Sequence, residues 1–329
     1  MILAALLLYA WRMRVFITGG GGFIGSHLAK NYEVAGHVVT ILDNFSTGSI
    51  ENLKTINFAG ETIKGDIRDQ NVLEPLIEGS DLVLHMAAAL GVDNIMNSTL
   101  ESISTNVIGS TTVLETAAKL NKRIIIASTS EIYGKNPKQP LNELDDRVIG
   151  SPQNFRWSYS DSKAIEESVA RVLYLEKKLP VTTVRFFNTI GPRQSAKYGM
   201  VVPRFIASAL SGRDLEVYGD GQQTRVFCHV DDAIAGVISL VDTQESIGEV
   251  FNVGGFGEIS ILNLAERVIQ LTNSNSKIRL VPYIDAYPVG YEDMQRRVPD
   301  NSKLQKLTGW QAKIDLNDAI LDIAKSLTL

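Results

Sequence analysis

Thr18-Gly19-Gly20-Gly21-Gly22-Phe23-Ile24-Gly25 follows the apolar run Val15-Phe16-Ile17 and opens a segment with helical spacing. A strand ending in closely spaced glycines lets backbone N–H groups approach a diphosphate without Cβ interference, and the N-terminus of the next helix adds partial positive charge. Gly19, Gly22 and Gly25 give the spacing G-x-x-G-x-x-G, with Phe23 and Ile24 inside it. Four consecutive glycines alone are equally consistent with a flexible turn, so the context matters. A second apolar run, Val38-Val39-Thr40-Ile41-Leu42, closes on Asp43-Asn44. An acidic side chain at that distance accepts hydrogen bonds from the adenosine ribose hydroxyls and repels a 2′-phosphate, which favours NAD over NADP.

The chain has 329 residues, 44% hydrophobic and 21% charged, enough for one large domain or two moderate ones. A net charge of −5 without any Lys/Arg-rich run argues against nucleic acid as a partner. The single cysteine, Cys228, excludes an internal disulfide framework, suits a reducing cytoplasm, and reads as an inert thiol within Val226–Val230. Met1 to Trp11 is almost wholly apolar but too short to span a bilayer, and it lacks a basic leader or small-residue cleavage site. Met13, just before Arg14, suggests an upstream alternative start for residues 1–13, with peripheral membrane contact as the lesser reading and stable insertion not expected. No metal site is expected.

Strand-like runs at 14–18, 38–42, 62–65, 81–85, 123–128 and 181–186 alternate with helical spacing near 23–35, 70–78, 100–120 and 160–177. This alternation predicts an α/β protein, a Rossmann-like doubly wound parallel sheet with the ligand at the carboxyl ends of its strands. After Gly191-Pro192-Arg193 the alternation breaks into short glycine-punctuated segments, which read as a smaller C-terminal α/β substrate lobe. The expected division is 14–190 for NAD and 191–329 mainly for substrate, with part of 226–255 returning to the first domain.

Tyr159 and Lys163 stand four apart on an expected helix and share one face. A tyrosine becomes a useful base when a nearby ammonium stabilises its phenolate. Thr129-Ser130-Glu131 emerges at the carboxyl end of the run Arg123–Ile126, where hydroxyls can orient a reacting oxygen and Glu131 can give or take a proton.

With these residues in place the chain resembles the extended short-chain dehydrogenase/reductases, in particular the NAD-dependent nucleotide-sugar epimerases and dehydratases, over residues 14–325. The resemblance implies cofactor contacts from the glycine loop, Asp43, Asn44, Asp66 and Ile67 of Gly65-Asp66-Ile67, Ala87, Ala88 and Ala89 of His85-Met86-Ala87-Ala88-Ala89, Asn106, Tyr159 and Lys163. It assigns the catalytic hydroxyl to Thr129. It implies contacts to a UDP-sugar from Asn188 in Phe187-Asn188-Thr189-Ile190-Gly191-Pro192-Arg193, from Val202, and from Tyr218, Gln223 and Arg225 in Val217–Arg225; Arg297 adds a second cation. It also implies a homodimer through helices near 100–118 and 158–175.

Such enzymes take a proton from a sugar hydroxyl through Tyr159 while hydride passes to NAD, leaving a 4-keto sugar. Thr129-Ser130-Glu131 together with Arg297 resembles the UDP-glucuronate decarboxylases, in which a C5 carboxylate leaves as carbon dioxide. Ala87-Ala88-Ala89-Leu90-Gly91 looks more like a 4-epimerase of UDP-hexose or UDP-uronate, which is the alternative. A non-catalytic NAD-binding sensor is the minor third reading, disfavoured because Tyr159, Lys163 and Thr129 are all retained.

Overall fold

A computed structural model describes residues 12–91, 98–196, 200–286, 292 and 294–328. The apolar stretch Met1–Trp11 lies outside the described residues, so the reading of the N-terminal extension is not addressed by it. The strands in chain order are β1 (Arg14–Thr18), β2 (Val38–Asp43), β3 (Glu61–Lys64), β4 (Leu82–His85), β5 (Arg123–Thr129), β6 (Val181–Phe186), β7 (Thr189–Ile190), β8 (Leu215–Tyr218), β9 (Thr224–Val226), β10 (Cys228–His229), β11 (Val250–Val253), β12 (Glu258–Ser260), β13 (Ile278–Val281) and β14 (Arg296–Arg297).

Seven of them form one sheet in the order β11-β6-β5-β4-β1-β2-β3, every neighbour parallel. Its inner strands are buried on both faces, as a sheet covered from both sides requires; β4 and β6 are buried along their whole length. On one face the helices Phe23–Val34 and Val230–Val241 pack Leu28, Ala29, Val237 and Leu240 onto Val15, Ile17 and Ile41. On the other, Gln70–Glu78, Ser110–Lys119 and Ser158–Lys177 bury Leu73, Leu114 and Ala170 against Phe16, Val83 and Ile124. This is the doubly wound parallel α/β arrangement the alternation implies. The order reverses between β1 and β4, which opens a crevice at their carboxyl ends.

The expected continuous helix over 100–120 is instead Thr99–Ile103, a π turn at Ser104–Gly109, and Ser110–Lys119. Ser104-Thr105-Asn106 is poor helix-forming sequence, and the widened turn lets the Asn106 side chain bond elsewhere.

A smaller core joins Val202, Phe205, Ile206, Leu215, Val217, Leu264, Val268 and Ile320. There β8 pairs with β13, and β9 lies between β12 and β14. In that sheet Arg297 is the register partner of Arg225, which brings two distant arginines side by side.

Candidate active site

A cleft of about 800 Å³ opens at the carboxyl ends of β1, β2, β4 and β5 and continues into the smaller lobe. Its dinucleotide end is built on the glycine turn. Gly19 has φ +70, and a Cβ there would sit 2.7 Å from the Ala87 backbone; a Cβ on Gly25 would meet the Gly19 carbonyl at 2.2 Å. Both positions therefore exclude any side chain, and the backbone stays open to an approaching diphosphate. Asp43 is 7% exposed and accepts N–H bonds from Gly21 at 2.8 Å and Phe45 at 2.7 Å; burial raises its carboxyl and these bonds oppose the rise. Asp43 and Asn44, Gly22, Phe23, Ile24, Ile67, Ala87 and Ala88 all form the cleft wall. A narrow backbone cradle with an acidic residue at the end of β2 fits NAD.

Among the described residues, four expected cofactor contacts, Asp66, Ala89, Asn106 and Lys163, do not line the cleft. The Asp66 carboxylate is taken by Arg68 at 2.9 and 2.7 Å, which holds it down to about pKa 2, while its neighbours Gly65 and Ile67 line the cleft. Ala89 donates its N–H to Asn106 Oδ1 at 2.8 Å, and Asn106 Nδ2 donates back to the Ala89 carbonyl at 3.0 Å. The buried Asn106 thus clamps the Ala87–Gly91 segment. Lys163 is 1% exposed and donates to Glu166.

The reacting end gathers Thr129, Ser130, Glu131 and Tyr159 at the tip of β5 and the start of the Ser158–Lys177 helix. Thr129 caps the short turn after β5, its hydroxyl accepting the Glu131 N–H at 3.1 Å, and it also bonds the Tyr159 phenol. The expected lowering of Tyr159 by Lys163 is not met here. Removal from water and the charges of Glu131 and Glu166 push the phenol above its ordinary range, against the Thr129 bond and Arg156. The Lys163 ammonium is committed to Glu166 instead.

Glu131 lies between two guanidinium groups, Arg156 at 2.6 Å and Arg297 at 2.5 Å. Although removal from water alone would raise its carboxyl, the two cations hold it at about 2. At neutral pH it is therefore a carboxylate, not the proton donor that the sequence allowed. Arg297 also donates to Asn188 Oδ1 at 2.5 Å, and Asn188 Nδ2 donates to the Val226 carbonyl at 2.9 Å. Arg156 escaped the sequence reading. Its only signal is a position three residues before Tyr159, one helical turn back.

In the smaller lobe Val202, Tyr218, Gln223 and Arg225 line the same cleft. The Arg204 guanidinium, also missed, lies 4.3 Å from the centre of the Tyr218 ring. Gln223 donates to the Tyr218 carbonyl at 3.1 Å while its buried Oε1 has no hydrogen-bond partner among the described residues, an acceptor left for a ligand. Among the described residues no group of three or more His, Cys, Asp or Glu is placed to hold a metal, and no helix is long and apolar enough to cross a membrane.

This constellation of glycine cradle, Thr–Tyr–Lys set and two-lobed cleft defines a nucleotide-sugar enzyme of the short-chain dehydrogenase/reductase type. The family model for GDP-mannose 4,6 dehydratase matches residues 16–323, and the chain belongs to this family. It is similar to a UDP-N-acetyl-alpha-D-glucosaminuronate decarboxylase of Bacillus cytotoxicus, 44% identical over 90% of this chain and 92% of that one. It is similar also to UDP-glucuronic acid decarboxylase 1 of Danio rerio, 35% identical over 94% of this chain and 71% of that one. Among solved structures it resembles UDP-glucuronic acid 4-epimerase from Bacillus cereus in complex with UDP-glucuronic acid and NAD, with TM-score 0.85, 25% identity, and coverage of 96% of this chain and 99% of that one. The protein is an enzyme.

Proposed function

We propose that this enzyme is an NAD-dependent decarboxylase of a UDP-linked uronate, with UDP-glucuronate as the substrate first in view. The observation that carries the reading is the Glu131–Arg156–Arg297 cluster. Two guanidinium groups around one carboxylate give a net positive pocket beside Thr129 and Tyr159, suited to a sugar that brings its own carboxylate.

Tyr159 takes the proton of the C4 hydroxyl, which Thr129 orients. The glycine turn, Asp43 and the Ala87–Ala88 wall would hold NAD, which would supply the acceptor, and afterwards the donor, of the C4 hydride. The ketone so formed makes the C6 carboxylate a β-keto acid. The C5–C6 bond breaks, carbon dioxide leaves, and the electron pair becomes an enolate that takes a proton from water at C5; Tyr159 then returns its proton to the C4 oxygen as hydride comes back to C4. Arg156 and Arg297 hold the carboxylate until it departs, Ser130 borders the C5 region, and the ionised Glu131 keeps both arginines in place. Asn188, Val202, Tyr218, Gln223 and Arg225 hold the UDP moiety. Residues 14–190 serve NAD and 191–329 mainly the nucleotide sugar, with the stretch around β11 completing the large sheet.

The 4-epimerase alternative is kept by one observation, the unbranched Ala87-Ala88-Ala89 segment, whose first two residues line the cleft, and is supported by the epimerase neighbour. We further propose a homodimer in the cytoplasm. Leu100, Ile103, Ile108, Ile165, Val172 and Leu175 are exposed apolar residues on the two segments expected to pair, and the lone Cys228 suits a reducing compartment.

The test is to incubate the purified protein with UDP-glucuronate, UDP-N-acetylglucosaminuronate, UDP-glucose and UDP-N-acetylglucosamine, with and without added NAD, following carbon dioxide and sugar products by mass spectrometry and NMR. Carbon dioxide with a UDP-pentose or its 2-acetamido counterpart is the expected result. Conversion to a C4 epimer of unchanged mass would replace the reading with the alternative.

A further inference from the structure

Behind the cleft wall a line of buried polar groups starts at Lys163 and runs away from the substrate. The Lys163 ammonium donates to Oε2 of Glu166, one turn further along the same helix, and both side chains are at most 1% exposed. Among the described residues Oε1 of Glu166 is buried without a hydrogen-bond partner, and Ser110, from the facing helix, flanks the carboxyl and favours its charge. Ser110 Oγ lies 2.9 Å from His85 Nε2, and His85 Nδ1 lies 2.7 Å from Thr18 Oγ1. The Thr18 hydroxyl also accepts the Ala87 N–H at 3.3 Å.

Burial and the Lys163 charge hold the His85 ring neutral, near pKa 3, so one ring nitrogen donates and the other accepts. His85 thus bridges the Thr18 and Ser110 hydroxyls through its two ring nitrogens. Thr18, His85 and Ser110 are each no more than 1% exposed. A line with no outlet to water does not carry protons away. It is a strut that joins the helix bearing Tyr159 to the residue immediately before the glycine turn.

We infer that Glu166 is the positioning residue of the Tyr159 base: it fixes where the Lys163 ammonium sits and thereby sets the pH at which the phenol ionises, while Ser110, His85 and Thr18 tie that setting to the dinucleotide turn. The inference rests on the reading of Tyr159 as the base. The charged groups facing Tyr159 are Glu131, Glu166 and Arg156, with Thr129 as hydrogen-bond partner; His85 and Glu166 face Lys163, and Glu167 faces Glu166. Removing the Glu166 charge takes away one carboxylate that opposes the phenolate and frees a cation that favours it.

The experiment is an ultraviolet difference titration of phenolate on the NAD-loaded protein. The chain has 10 tyrosines, so the Tyr159 signal is isolated by subtracting the Tyr159→Phe variant in each background. In Glu166→Gln the Tyr159 signal should develop about one pH unit lower than in the parent, and the ascending limb of kcat should move the same way. An unchanged or higher midpoint would overturn the inference. If Glu166→Gln does not fold, Ser110→Ala serves, with a smaller shift of the same sign expected and none refuting. A moved midpoint in a protein that turns over no UDP-uronate would sink the proposed function but leave the positioning role; carbon dioxide release with an unmoved midpoint would do the reverse.

Discussion

Glu131 and Glu166 both face the Tyr159 phenol, and being withdrawn from water pushes each toward the neutral form. Their outcomes are opposite. Glu131 meets two guanidinium groups, whose attraction outweighs the loss of hydration and holds it at about 2. Glu166 meets one ammonium, which does not, so its carboxyl stays above the ordinary range. The number of cations per carboxylate decides the sign. One side of the phenol thus has a surplus positive charge facing the cleft, fit for an anionic sugar, while the other has a balanced pair sealed behind the wall. Substrate recognition and base tuning are separated by which face of one helix start the charge lies on.

The largest break in this comparison is Glu131→Gln. It leaves Arg156 and Arg297 without their common anion, and removing one partner of such a cluster costs about 3–5 kcal/mol. Turnover should fall roughly 100-fold, the range of a single well-placed charged group in a site. Steady-state kinetics on UDP-glucuronate checks this, and an unchanged kcat would mean that the cluster does not organise the reacting end.

Acid unfolding sharpens the contrast. Glu131 has a folded value near 2 against an ordinary 4.5, so its contribution is present above about pH 4.5 and is lost as pH falls toward 2. The shift corresponds to about 3 kcal/mol. Glu166, being raised, contributes with the opposite sign and gains as pH falls. Denaturant unfolding followed from pH 6 downward should therefore show the parent losing stability through that window more steeply than Glu131→Gln. Parallel curves would place the acid sensitivity elsewhere.

The smallest effect is expected away from both carboxylates. Asn106→Ala removes the clamp on Ala89 but no charge, and a lost hydrogen bond pair of this kind weakens NAD binding about 3–10-fold with kcat nearly retained. Fluorescence titration with NAD measures it. A loss of kcat with unaltered NAD affinity would show that Asn106 acts on the chemistry through Ser162, which it contacts at 3.3 Å.

What the sequence revealed follows from how each feature is encoded. The strands and the glycine turn are continuous in sequence: Val38–Asp43 and Val181–Phe186 are runs whose period is visible without neighbours, and Gly19 and Gly25 are needed by the backbone itself. Thr129, Tyr159 and Arg297 were found as motif members, and the structure brings all three to one cleft. Arg156 was not, because Phe155-Arg156-Trp157 reads as an ordinary turn and its meaning depends on Glu131 and Arg297, the latter more than a hundred residues away. Glu166 was missed for the opposite reason: its spacing from Lys163 is local, but a Lys–Glu pair at i,i+3 looks like any solvated helix pair until both prove buried. The break at Ser104–Gly109 was hidden because a π turn leaves no periodic mark in so short a segment.

The most direct measurement is calorimetric binding of UDP-glucuronate and UDP-glucose to NAD-loaded Tyr159→Phe protein, in which turnover does not obscure affinity, repeated with Arg297→Met added. The uronate should bind at least about 10-fold more tightly, and most of this preference should disappear with Arg297. Equal affinity for the two sugars in the presence of Arg297 would contradict the claim that the Glu131–Arg156–Arg297 pocket receives a substrate carboxylate.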